Sequence, residues 1–74
     1  MDIELKAKLI DIFDEEDLSD SQAFRELEGW DSLAQLSIVA MCDSAYGFTL
    51  KAADLKGLVT LGDLARYIEG HRSK

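Results

Sequence analysis

The sequence predicts an all-α fold, a small bundle of four helices with a long first connection and a short third helix, on three observations. Leu5, Leu9, Ile12 and Phe13 recur at i, i+4, i+7 and i+8, the spacing of one helix face. A mostly apolar run, Leu36 to Ala45, follows Gly29-Trp30-Asp31-Ser32-Leu33 and stops just before Gly47. Thr60-x-x-Asp63 has the form of a capping box and opens a stretch in which Leu61, Leu64, Ala65 and Ile68 share one face. The 74 residues make one domain, 1–74, near the size below which a single core no longer suffices. A deep catalytic cleft is not expected in so small a body.

The first helix should run from Asp2 to about Asp14, with Asp2 and Glu4 suiting the positive end of its dipole. Asp14-Glu15-Glu16-Asp17 opposes the dipole at the other end and should help to stop the helix. The connection from Glu15 to Gly29 is long enough to need anchors, and Leu18, Phe24 and Leu27 are its apolar candidates.

The second helix should run from Ser32 to about Tyr46, ended by Gly47 as its C-terminal glycine. Ser32-x-x-Gln35 reads as its capping box. The helix is apolar on more than one face. Ile38, Val39, Cys42, Ala45 and Tyr46 make an inward stripe, which leaves Leu33, Leu36, Ser37, Ala40, Asp43 and Ser44 along the side continuing from the serine.

Ala52 to Lys56 suits a brief third helix or 3₁₀ turn before Gly57, with Leu55, Leu58 and Val59 pinning it over the groove between helices two and four. Val59 and Leu64 could staple the start of the fourth helix, which Gly70 should close. His71-Arg72-Ser73-Lys74 is left as a short basic tail, expected to fray.

Charge excludes one class of partner. Fifteen acids against eight bases give a net charge of −7, and a polyanionic nucleic acid needs the opposite sign. Basic protein surfaces are the natural counterparts. The acids are concentrated: residues 1–31 hold eleven acids and three bases, residues 32–74 four and five.

No apolar run is long enough to cross a bilayer, and Met1-Asp2-Ile3-Glu4 has neither a basic nor an apolar leader region, so a cytoplasmic monomer is the expectation. Cys42 is the only cysteine and sits among apolar neighbours, where a buried inert thiol is expected. One Cys and one His make no zinc-type cluster. Ser32 has no general base in its neighbourhood of sequence and no nucleophile-elbow glycines. Its address is nevertheless suited to a particular modification. Unpaired N–H groups and the positive end of the dipole favour a phosphate ester at a helix N-terminus.

Asp31-Ser32-Leu33, with Phe24 eight residues before the serine and Tyr46-Gly47-Phe48 after it, resembles the acyl carrier protein family. The resemblance runs from about Ala23 through Thr60-Leu61-Gly62-Asp63 to Ile68, and more loosely over the first helix. It implies 4'-phosphopantetheine on Ser32, attached by a phosphopantetheinyl transferase from coenzyme A with a divalent metal. Asp31 would help to present the site and its metal to that transferase, or would serve simply as the helix N-cap. The second helix would be the surface shown to acyl-loading and acyl-using enzymes, with Leu33, Leu36, Ser37, Ala40, Asp43 and Ser44 as docking residues. Ser37 and Ser44 stand where carriers of fatty-acid synthesis often have glutamate, which points to a specialised lipid, polyketide-type or other acyl pathway. The third helix would gate an acyl pocket bounded by Ile38, Cys42, Leu55, Leu58 and Leu64, kept small by the bulk of Leu55 and Leu64. Trp30, at a position variable in the family, is expected to pack over the helix start.

The function expected is therefore a carrier and not an enzyme, with chemistry supplied by the prosthetic arm. Two alternatives remain at this stage. One is an aminoacyl or peptidyl carrier, loaded by an adenylating enzyme. The other is an unmodified helical adaptor whose Leu33-Leu36-Ala40 face binds a partner helix.

Overall fold

Asp2 opens the first helix as its N-cap: its carboxylate accepts the Leu5 N–H at 3.3 Å. In the computed structural model, which describes residues 2–72, α1 spans Ile3–Phe13, α2 Ser32–Tyr46, α3 Ala52–Lys56 and α4 Leu61–His71. The inward stripe of α1 is Leu5, Leu9 and Phe13, with Ile12 half-buried beside them. Its end is set by backbone geometry as well as by charge. Asp14 adopts the left-handed conformation at φ 57°, a region that aspartate tolerates better than most residues, and its N–H bonds the Ile10 carbonyl. Asp17 then turns back to pair with Lys6 at 2.9 Å and accepts the Leu18 N–H. These bonds hold the Asp17 carboxyl below its ordinary range.

The long connection is fastened as well as anchored. Leu18 and Phe24 are buried in the core, Leu27 packs against it, and Phe24–Glu26 form a 3₁₀ turn. The Gln22 and Asp20 carbonyls accept the N–H groups of Leu61 and Gly62 at 2.8 and 2.9 Å. Those are first-turn donors of α4 that have no partner within their own helix. The Phe24 N–H bonds the Val59 carbonyl, and Ala23 and Thr60 form an isolated antiparallel bridge. Arg25 lies over the Phe24 ring and donates to the carbonyls of Leu55 and Leu58, at the end of α3. Val59, expected as an apolar pin and staple, is 57% exposed. Its holding contacts are through its backbone: its carbonyl accepts from Phe24 and its N–H donates to Asp63.

The register of α2 differs from the expected one. Its buried residues are Ala34, Ile38, Met41, Cys42 and Tyr46, whereas Ala45 is exposed and Val39 half-buried. A helix apolar on several faces leaves its rotation to its neighbours, and α1 and α4 both pack on α2. Gly47, at φ 72° with its N–H on the Cys42 carbonyl, ends α2 in the expected left-handed cap.

In α4 both halves of the capping box form: the Asp63 N–H donates to Thr60 Oγ1, and the Thr60 N–H to Asp63 Oδ2, each at 3.1 Å. Leu61, Leu64, Ala65 and Ile68 are all buried. The helix runs through Gly70 to His71 and is closed by Arg72, whose N–H bonds the Ile68 carbonyl. Gly70 is exposed with open space around it, so nothing there forces a break. His71 belongs to the last turn: it stacks on Tyr67 with ring centroids 4.1 Å apart, and its Nδ1 lies 2.9 Å from the Tyr67 carbonyl. Of the expected fraying tail, Ser73 and Lys74 fall outside the described residues. The Asp2 N–H reaches Glu69 at 3.0 Å and ties the start of α1 to α4.

Candidate functional site

The start of α2 is placed by three residues before it. Gly29 does not occupy a positive φ; its requirement is space. A Cβ there would stand 2.3 Å from the Phe13 carbonyl oxygen, so the connection is pressed against the end of α1 in a way only glycine allows. Trp30 packs between two core aromatics, stacked on Phe13 at 6.1 Å and edge-on to Phe24 at 5.1 Å. Asp31 is extended and is the N-cap, its carboxylate accepting the Ala34 N–H at 2.8 Å.

That cap decides the state of Ser32. The capping box read into Ser32-x-x-Gln35 does not form, because the cap lies one residue earlier and Ser32 is the first helical residue. Ser32 is exposed, and among the described residues its hydroxyl has no hydrogen-bond partner. The first backbone bond of the helix is the Gln35 N–H on the Asp31 carbonyl at 3.0 Å. The N–H groups of Ser32 and Leu33 therefore precede the helical ladder, and no acidic residue occupies the first turn. An uncommitted hydroxyl beside free donors at the positive end of a fifteen-residue helix fits a phosphodiester.

Leu33, Leu36, Ser37, Ala40, Asp43 and Ser44 are all exposed and continue from Ser32 along α2. Leu33 and Leu36 are 70% and 63% exposed, which makes them prominent apolar side chains with no internal use. The residues expected around an acyl pocket lie elsewhere. Ile38, Cys42, Leu55 and Leu64 are buried in the core, with Leu58 packed against it. Burial pushes the Cys42 thiol up to about 11, as expected for an inert cysteine.

Open space lies instead between α1 and α2. A cavity of about 260 Å³ is lined by Ile12, Phe13, Asp14, Gly29, Asp31, Leu33, Ala34 and Ser37. Another, of about 440 Å³, is lined by Lys8, Asp11, Ile12, Ser37, Ala40, Met41, Ser44 and Ala45. Lys8, Asp11 and Ile12 were not among the residues read from the sequence as part of the site, and Asp14 was read as part of an acidic run that helps to stop the helix. The only prior signal of the first three was helical spacing in α1, which says which residues share a face and not what that face meets. Among the described residues no group of three or more His, Cys, Asp or Glu could hold a metal ion, and no helix is long and apolar enough to cross a membrane.

Comparison with known proteins agrees with this geometry. The family model described as "phosphopantetheine attachment site" matches residues 3–68. The fold is similar to the solution NMR structure of holo acyl carrier protein from Geobacter metallireducens, with a TM-score of 0.73 and 22% identity, covering 90% of this chain and 79% of that one. At that identity the likeness speaks for the fold. No match is found among curated proteins. The family match over most of the chain makes this a carrier domain and not a catalyst. This chain belongs to the phosphopantetheine-attachment family, the family of acyl carrier proteins, whose cofactor is covalent 4'-phosphopantetheine.

Proposed function

We propose that Ser32 is the attachment residue, and that the domain carries acyl groups for a specialised lipid, polyketide-type or related pathway. The observation that carries the assignment is the free, exposed Ser32 hydroxyl at the first position of α2, released from capping by Asp31. The arm, once attached, supplies a thiol that holds an acyl group as an activated thioester. The residues of the chain do the rest. Asp31 keeps the helix start rigid and offers its carboxylate beside the serine to the transferase. Leu33, Leu36 and Ala40 give partner enzymes an apolar footing, flanked by Ser37, Asp43 and Ser44.

Departure from housekeeping fatty-acid synthesis rests on that face. Beyond Asp31 at its start, Asp43 is the single acid of α2, so docking there relies on apolar contact more than on charge. The core supports the same reading, since Leu55 and Leu64 are buried where the resemblance places the acyl pocket.

The test is intact mass after incubation with a broad-specificity phosphopantetheinyl transferase, coenzyme A and magnesium. One phosphopantetheinyl group should be gained by the wild type and none by Ser32→Ala. No gain by a folded wild type, with several active transferases, would refute the assignment.

A further inference from the structure

The two cavities between α1 and α2 are neighbours, since Ile12 and Ser37 line both. Together they make a groove that begins beside the attachment serine, at Asp31 and Leu33, and continues to Ser44 and Ala45. On α2 its wall is Leu33, Ser37, Ala40 and Ser44, spaced i, i+4, i+7 and i+11 on one face. From Ser32 to Ser44 the helix rises about 18 Å at 1.5 Å per residue, a length on the scale of an extended pantetheine chain.

The lining is mixed along the whole groove. Near the serine, Ile12, Phe13, Leu33 and Ala34 lie with the side chains of Asp14, Asp31 and Ser37. Farther along, Ile12, Ala40, Met41 and Ala45 lie with Lys8, Asp11, Ser37 and Ser44. The phosphopantetheine arm is mixed in the same way: a branched apolar dimethyl group near the phosphate, then two amides, then the thiol. The other candidate seat, under α3, is filled. Ile38, Cys42 and Leu64 have no exposed surface, and Arg25 holds the end of α3 by its Leu55 and Leu58 carbonyls.

We infer that the α1–α2 groove is the resting seat of this protein's own phosphopantetheine arm, with its thiol end among Lys8, Asp11 and Ser44, where a short polar acyl group would be held. The inference rests on Ser32 as the attachment residue. Ser37 and Ala40 belong both to the groove and to the exposed face of α2. A partner enzyme footed on Leu33 and Leu36 would therefore meet the arm at the groove rim and draw it out.

The test uses isotope-labelled protein loaded with unlabelled coenzyme A by a broad-specificity transferase, with loading confirmed by mass. Isotope-filtered NOE spectra should show contacts from the arm's dimethyl protons to the Ile12 and Leu33 side chains. Amide shifts on loading should concentrate at Asp11, Ser37 and Ala40. In Asp11→Trp, whose indole would lie across the groove, the contacts to Ile12 should be lost while the signals of Leu61 and Ile68 stay unchanged. Contacts to Leu55, Leu58 and Leu64, no contacts at all, or contacts to Ile12 that survive Asp11→Trp would each overturn the seat while leaving the attachment intact. Absence of a mass gain would remove the attachment itself and the seat with it, so the two failures are distinct.

Discussion

Two residues just before Ser32 govern whether it is usable. Asp31 spends its carboxylate on the Ala34 N–H, and so the serine beside it keeps a free hydroxyl. Asp31→Ala should lower stability by about 1 kcal/mol, the usual loss for an N-cap. It should also slow modification, because the helix start loosens and Ser32 becomes the next side chain able to cap. Asp31→Asn should restore most of the stability, as read by chemical denaturation, and less of the modification rate if the negative charge matters to the transferase. Gly29 acts through exclusion. With a Cβ 2.3 Å from the Phe13 carbonyl oxygen, Gly29→Ala must push the connection off α1. Overpacking of this kind costs about 1–3 kcal/mol. A lower melting temperature, with the Trp30 fluorescence maximum shifted to the red as its ring leaves Phe13 and Phe24, is the expected outcome.

The elements hold one another by their unfinished ends. α4 begins with a reciprocal Thr60–Asp63 box, and its next two donors are taken by carbonyls of the first connection. The bonds from Thr60 and Val59 hold the Asp63 carboxyl below its ordinary 3.8. A carboxylate with a depressed folded pKa stabilises fully above its unfolded value and loses that contribution as pH falls through the folded one. Stability should therefore decline from about pH 4 downward as Asp63 is protonated. In Asp63→Asn this part of the acid dependence should be absent, and urea midpoints measured at intervals from pH 6 to the acid limb would show it. Other carboxylates contribute too, Asp17 with Lys6 among them, so the comparison of variant with wild type is the informative quantity. The same fastening explains how five residues of α3 persist: a helix that short is not stable alone, and Arg25 and Leu55 hold it in place.

At the scale of the molecule, charge and shape are divided between the halves of the chain. The acids before Ser32 outnumber the bases by eleven to three, while α2 itself offers mainly apolar and hydroxyl groups to a partner. Electrostatic approach should thus depend on the acidic half, and the final contact on Leu33 and Leu36. Raising ionic strength from about 0.01 to 0.15 M shortens the screening length from about 30 to 8 Å. The kcat/KM for modification by the transferase should fall several-fold over that range. Glu15→Gln with Glu16→Gln should flatten the salt dependence, whereas Leu33→Ala should lower kcat/KM at every salt concentration and leave the slope as it was.

By itself the sequence determined the local decisions, those in which neighbouring residues satisfy or obstruct one another. The caps at Gly47 and Thr60, the stripes of α1 and α4, the aromatic anchor at Phe24 and the serine at a helix start all follow from spacing and from side-chain chemistry within a few residues. Tertiary structure decided what depended on a second element. It rotated α2 so that Met41 is buried and Ala45 exposed, since a helix apolar on several faces has no preference of its own. Of the two caps that local chemistry offered to the start of α2, Asp31 and Ser32, it took Asp31. It carried α4 through Gly70, whose flexibility ends a helix only when the backbone is asked to turn. The groove between α1 and α2 belongs to this second kind, for its two walls lie fifteen or more residues apart in sequence and meet only when the bundle closes.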